Sequence, residues 1–350
     1  MAYTDIDKPS DYFETKLYTG NGGTQSITGL DFAPNWVWLK RRDSSAAHYV
    51  FDTVRGAAVQ LYPASTSSED AGQTNGLSAF TSDGFSLGTD AGVNVNNGTF
   101  ASWNWKAGTS FTNDASATGI GTIDSAGSAN TTSGFSIVSY TGTGSAGTIK
   151  HGLSTAPKMI IQKNRDETQP WWTYVESIGA GGQLRLNATN AAGSDGATLW
   201  NSTAPTSSVF SVGDNTGTNG SADKCIAYCF AEKQGYSKFG SYTGNNNADG
   251  PFVYTGFKPA WLMIKIASGT TNNWMMYDNK RSTFNLTDKI FEANNSGAEG
   301  TGLGIDMLSN GFKIRTTAGN GTNYNGGTYI YMAFAENPFV TSTGVPATAR

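Results

Sequence analysis

Three carboxylates recur at matching places in this 350-residue chain. Asp52, Glu176 and Asp278 each close a short aromatic run, 18, 19 and 19 residues after a proline. Paired carboxylates about 5–9.5 Å apart could cleave a glycosidic bond. Each stretch supplies only one recurrent acid, however, and an acid at a strand end usually caps a turn. The histidines, His48 and His151, fit no metal-ligand spacing such as His-Glu-x-x-His. Cys225 and Cys229 stand in one strand-like run, about 13 Å apart at ~3.3 Å per residue, too far for a disulfide. They are expected to be buried thiols on one face. Asn245 to Gly250 and Asp214 to Gly217 offer oxygen ligands but lack the spacing of a calcium loop, and they read as hairpin turns. The expectation is no catalytic residue, no metal and no cofactor.

Aromatic residues offer a different chemistry, since a flat ring can stack on a sugar while Asn and Thr bind its hydroxyls. Trp36 and Trp38 share one strand face, as do Trp103 and Trp105, because side chains alternate. These four are expected in a core or an inter-domain contact. Trp171 and Trp172 must face opposite ways, so one points outward or into a neighbour. Trp171 is the best candidate for an exposed glycan or partner contact, with Trp274 in the same strand of the next stretch.

The elements that would position these residues are repeated. Tyr18-Thr19-Gly20 returns as Tyr140-Thr141-Gly142 and as Tyr242-Thr243-Gly244. After each comes a Gly/Ser/Asn-rich turn, then an apolar strand led by Pro34, Pro157 or Pro259 and ending at Lys40, Lys163 or Lys265. A leucine-containing strand follows near Leu61, Leu184 to Leu186, and Phe284 to Leu286, then a strand holding Phe85, Phe210 or Phe312. Each copy closes on large alternating residues: Phe100 to Trp105, Cys225 to Phe230, and Tyr329 to Phe334. The period is about 100 residues, too long for a solenoid unit of ~20–50. Short alternating strands between Gly/Asn turns predict an all-β chain of three tandem β-sandwich domains, jelly-roll or lectin-like. The expected boundaries are 1–107 for the first copy, 108–133 for a flexible Gly/Ser/Thr-rich linker, 134–234 for the second copy, 235–340 for the third and 341–350 for a tail. Copies two and three abut and are expected to move together more than copies one and two.

Charged residues are only 14% of the chain and the net charge is −4, which disfavours nucleic acid as a partner. Lys40-Arg41-Arg42 reads as a solvated strand end. Residues 1–9 do not resemble a signal peptide, and no apolar run approaches the ~20 residues of a membrane helix.

Several stretches carry a resemblance. They are Ala33 to Lys40, Ser139 to Ile149, Gly235 to Gly244 and Tyr329 to Glu336. Together they resemble an uncharacterised tandem-repeat family of tailed bacteriophages, mostly marine, whose members are often labelled tail-fibre or tail-associated proteins. The resemblance implies a non-enzymatic virion structural protein assembled in the host cytoplasm. A tail appendage or adhesin for host attachment is the first expectation, capsid decoration or a head fibre the second, and a polysaccharide depolymerase the third. The implied partners are other virion proteins and host surface glycans, with a homotrimer favoured.

Overall fold

The computed structural model describes residues 2–317 and 319–346; positions 347–350 of the expected tail lie outside the described residues. The chain is all-β, and its α-helices are single turns of four or five residues among the described residues. Four strands recur in each third of the chain, side by side and antiparallel, in the order opening, closing, Pro-led, aromatic. In the first unit these are Phe13–Thr19, Thr99–Trp105, Trp36–Arg41 and His48–Asp52. In the second they are Phe135–Thr141, Lys224–Phe230, Met159–Asn164 and Trp172–Val175. In the third they are Ser237–Thr243, Thr328–Pro338, Phe257–Ile266 and Met275–Asp278. A shorter strand pair accompanies each set: Gln25–Ile27 with Gly84–Leu87, Gly147–Lys150 with Val209–Val212, and Phe252–Tyr254 with Gly311–Ile314.

The Tyr-Thr-Gly repeat has a local cause. A Cβ on Gly20, Gly142 or Gly244 would stand 2.2, 2.2 or 2.3 Å from the carbonyl oxygen of Val95, Gly220 or Tyr324, so no other residue lets the two backbones come this close. The tyrosine hydroxyls donate to the carbonyls of Val93, Thr218 and Thr322. One residue further along stand three buried asparagines, Asn94, Asn219 and Asn323. Each accepts from a turn N–H, of Asn21, Thr143 or Asn245, at 3.0, 2.8 and 2.8 Å. Each amide nitrogen donates to two carbonyls: Gly23 and Gly88, Ser145 and Gly213, Asn247 and Thr316. The sequence signal is Gly-x-Asn at 92–94, 217–219 and 321–323, which the repeat reading overlooked.

Alternation along the strands sorts the side chains into two kinds of core. Each unit has its own outer cluster, around Phe85 in the first, Phe210 in the second and Phe312 in the third. The other sheet faces share a single inner cluster that includes Trp36, Trp38, Trp103 and Trp105, Ile161, Tyr228 and Phe230, and Trp261, Met263 and Phe334. Register puts Trp105, Phe230 and Phe334 at equivalent places, opposite Trp36, Met159 and Trp261. Their rings meet across units, with Trp105 and Phe230 lying 5.6 and 6.2 Å from Phe334, centroid to centroid. The first unit also stacks Trp36 on Tyr228 of the second at 4.7 Å. An aromatic side chain buries ~150–250 Å², so this cluster is a major source of stability at ~25 cal/mol per Å².

Three sequence expectations need correction. Residues 108–133 are no flexible linker: Thr109–Asn113 and Ser125–Asn130 pair with each other, and the latter pairs along the opening strand of the second unit. Small residues there (Ser125-Ala126-Gly127-Ser128-Ala129) hide the strand signal because they carry little β pattern. Phe284 to Leu286 is not a strand either; the strand begins at Thr287, and Phe284 is 84% exposed. The second and third units are not a privileged pair, because the first packs on the third through direct contacts described below.

A shared inner core couples the units, so we expect one thermal transition, with equal calorimetric and van't Hoff enthalpies. Separate transitions in calorimetry would contradict this. Trp105→Ala should cost about 3–5 kcal/mol, read as a lowered denaturant midpoint.

Candidate functional site at the junctions between the sheets

Lys40, Lys163 and Lys265 follow the alternation that faces Trp36 and Trp38, Met159 and Ile161, and Trp261 and Met263 into the inner core. All three are fully buried, which corrects the expectation that Lys40 lies in a solvated strand end. Burial forces each ammonium to find acceptors, and each finds one in another unit. Lys163 donates to the carbonyl of Thr66 at 3.2 Å, Lys265 to Thr189 at 2.9 Å, and Lys40 to Ser296 at 3.2 Å. A second bond stays local, to Glu167, Ile266 and Arg41 respectively. The donations therefore run from the second unit to the first, from the third to the second, and from the first to the third.

Other contacts follow the same cycle. Trp171 donates its indole N–H to Tyr62 at 2.9 Å and Trp274 donates to Arg185 at 3.0 Å. In the first unit His48 takes that place. Its Nδ1 accepts from Trp38 at 2.9 Å, which leaves Nε2 as the protonated nitrogen that donates to the Glu292 carbonyl at 3.1 Å. Backbone N–H groups of Glu69, Ala192 and Glu299 donate to the carbonyls of Arg165, Ala267 and Arg42. Trp171 and Trp274 are thus buried, at 1% and 0% exposure, and cannot stack on a glycan. Alternation did turn Trp171 away from Trp172, but toward a neighbouring unit instead of solvent.

The recurrent acids separate. Asp52 takes N–H groups from Val54 and Arg55, the Arg55 guanidinium at 2.6 Å and the Tyr228 hydroxyl of the second unit at 2.7 Å. Asp278 takes the matching groups: N–H of Lys280 and Arg281, the Arg281 guanidinium at 2.5 Å and the Trp103 indole of the first unit at 3.1 Å. Register shows that their counterpart is Val175, not Glu176, since Asp52, Val175 and Asp278 face Trp36, Met159 and Trp261. A one-residue slip in a strand changes the face, and Glu176 lies at the surface paired with Lys158.

This slip exposes a chemical difference among the junctions. The first–second junction adds Arg165 bidentate to Glu69, which also meets Arg55. The third–first junction adds Arg42 bidentate to Glu299, which also meets Arg281. At the second–third junction the same places hold Ala267 and Ala192, with Val175 and Met332 in the inner core and Ile178 packed against it. Two junctions are ionic and one is apolar.

The remaining candidates are structural. His151 is buried, accepts from the Leu153 N–H and lies against the Thr206 carbonyl. Cys225 and Cys229 are free and buried in the outer cluster of the second unit, as the spacing predicts; burial pushes the Cys225 thiol up to about 12. Asn245 and Asn247 accept from the turn N–H groups of Asn247 and Asp249, and Asn215 caps a helical turn through Gly217. Among the described residues no three His, Cys, Asp or Glu side chains gather as a metal cluster would.

The model of one family, described as a domain of unknown function (DUF7483), matches residues 8–338, all three units together. No curated protein matches the chain.

The two kinds of junction make a mutational test. Asp278→Ala leaves the Arg281 guanidinium buried without its carboxylate and should cost about 3–5 kcal/mol. Asp278→Val with Arg281→Ile, the pair found at the apolar junction, should recover most of that loss in chemical denaturation. A double variant as unstable as the single one would show that the ion pair is indispensable.

Burial lowers the lysines from an ordinary 10.5, Lys40 to about 8 (Arg41 adding repulsion), Lys163 to about 8 and Lys265 to about 7. Above these values the folded chain releases protons that the unfolded chain retains, so stability rises with pH. Burial also lowers His48 well below its usual range and His151 to about 4, so stability is lost as pH falls below about 6.5. The melting temperature should climb from pH 5 to about 8.5, where thiols of the unfolded chain begin to ionise. Replacing Lys40, Lys163 and Lys265 together by Met should flatten the rise above pH 7; an unchanged slope would remove the lysines as its cause.

Proposed function

We propose that this chain, which belongs to the DUF7483 family, is a non-enzymatic structural component of a tailed-phage virion, built as three β-sandwich units closed into one ring-like body. The observation that carries this reading is the cycle of junction contacts. The lysines, the tryptophans expected to be exposed, and two of the three recurrent acids all serve to hold units together. A body whose distinctive polar groups are spent internally suits a scaffold. The family model spans residues 8–338, all three units together.

The phage assignment rests on the sequence resemblance, with other virion proteins as the immediate partners. A tail appendage that contacts host surface glycans remains the first placement. Capsid decoration is the second, favoured by one observation: three equivalent units around a common core match a position of local threefold symmetry. The ring also buries, within one chain, the faces that three separate single-unit subunits would use. This favours the monomer over a homotrimer as the building block. A depolymerase is the weakest reading, because Asp52 and Asp278 are fully buried at different junctions.

Mass spectrometry of purified particles should find the protein, and its absence would end the virion reading. Cryo-electron microscopy of the same particles should show the three-unit body on the tail; density on the head would select decoration. Incubation with host surface glycans should release no reducing ends.

A further inference from the structure

Large hydrophobic side chains are exposed, among the described residues, only in the third unit and the segment after it. Among the described residues Phe252, Tyr254, Phe284, Leu286, Tyr324 and Val345 are the exposed ones, and every one lies after residue 250. Phe252 and Tyr254 flank buried Val253 on the short outer strand, so both rings project from the same face, about 7 Å apart along it. They are 47% and 53% exposed.

Register makes these rings a departure from the repeat. Val253, Ile27 and Ile149 face the equivalent Phe312, Phe85 and Phe210. The places of Phe252 and Tyr254 are therefore held by Ser26 and Thr28 in the first unit, and by Thr148 and Lys150 in the second. Two units fold with polar residues there, so folding does not require rings. The Tyr254 ring is also fixed, since its hydroxyl meets that of Tyr3 at 3.1 Å, which in turn donates to the Gly256 carbonyl at 2.8 Å. Charges around the face are paired among themselves: Lys313 with Asp249 at 2.6 Å, Arg315 with Asp306 at 3.3 Å and Lys258 with Glu336 at 2.8 Å. Such a surface offers flat apolar faces edged by hydroxyls and carries no unbalanced charge. An acidic or basic partner gains little there.

We infer that Phe252 and Tyr254 form a stacking platform for a neutral saccharide, each ring meeting the apolar face of a pyranose while the Tyr3 and Tyr254 hydroxyls meet its polar edge. This rests on the virion reading only for the source of the glycan. The recognition itself needs nothing but the exposed strand, so failure of particle mass spectrometry and failure of sugar binding are separate results.

Full-length protein should be passed over insoluble cellulose, chitin and cross-linked dextran, with calcium alginate as the anionic comparison. The expected result is retention on at least one neutral polysaccharide, reversed by the matching oligosaccharide. Phe252→Ser with Tyr254→Thr, which installs the residues of the first unit, should weaken retention at least about tenfold, the loss expected for one stacked ring. Its melting temperature should stay unchanged. Should that variant unfold, hydrogen exchange on the wild type with bound oligosaccharide decides, with protection expected at residues 252–254. No retention on any neutral polysaccharide, retention on alginate alone, retention that survives the double substitution, or protection elsewhere on the chain would each overturn the proposal.

Discussion

A lysine placed on the core-facing side of a strand cannot leave its ammonium unsolvated, and in each unit the carbonyls within reach belong partly to another unit. That requirement links the local pattern to the global shape. The strand alternation that buries Trp36 and Trp38 also aims Lys40 past them, and the same holds for Lys163 and Lys265. Within its own unit each ammonium finds one carbonyl acceptor. Three units in a closed cycle supply the second. A head-to-tail contact that repeats makes a filament unless its rotation closes, and here it closes after three steps.

The junctions show that nature can fill one geometric slot with different chemistry. Asp–Arg pairs with a supporting glutamate stand at two junctions, while Val175, Ile178, Ala192 and Ala267 stand at the third. Buried ion pairs often contribute no more than well-packed apolar residues of similar size. Here each carboxylate also bonds the neighbouring unit, Asp52 through the Tyr228 hydroxyl and Asp278 through the Trp103 indole. The backbone bonds from Glu69, Ala192 and Glu299 are common to all three junctions, and the side chains around them differ.

Much of this was legible in the sequence, and the parts that were not share a cause. The opening, Pro-led and closing strands were readable because large residues alternate within a repeated frame. Gly20, Gly142 and Gly244 were visible as a motif, although their reason, a backbone passing at van der Waals range, was not. The two strands inside residues 108–133 read as a linker because small side chains give a strand no periodic signature. Glu176 was grouped with Asp52 and Asp278 because counting from a proline ignores register by one residue, and one residue is a whole face. Trp171 shows the deepest gap. Alternation decides that it points away from Trp172, yet only the arrangement of units decides that the far side is the first unit and not water.

Residues near the two ends of the body touch. Ser342 donates its N–H to Asp7 at 2.6 Å and its hydroxyl to the same carboxylate. A folded body whose entry and exit lie side by side can be spliced into a surface loop of a larger chain with little loop-closure cost. Such a host chain would leave its own fold, traverse all three units, and return almost to the point of departure. The ring is thus geometrically suited to be carried as an insert as readily as to stand at the end of a chain.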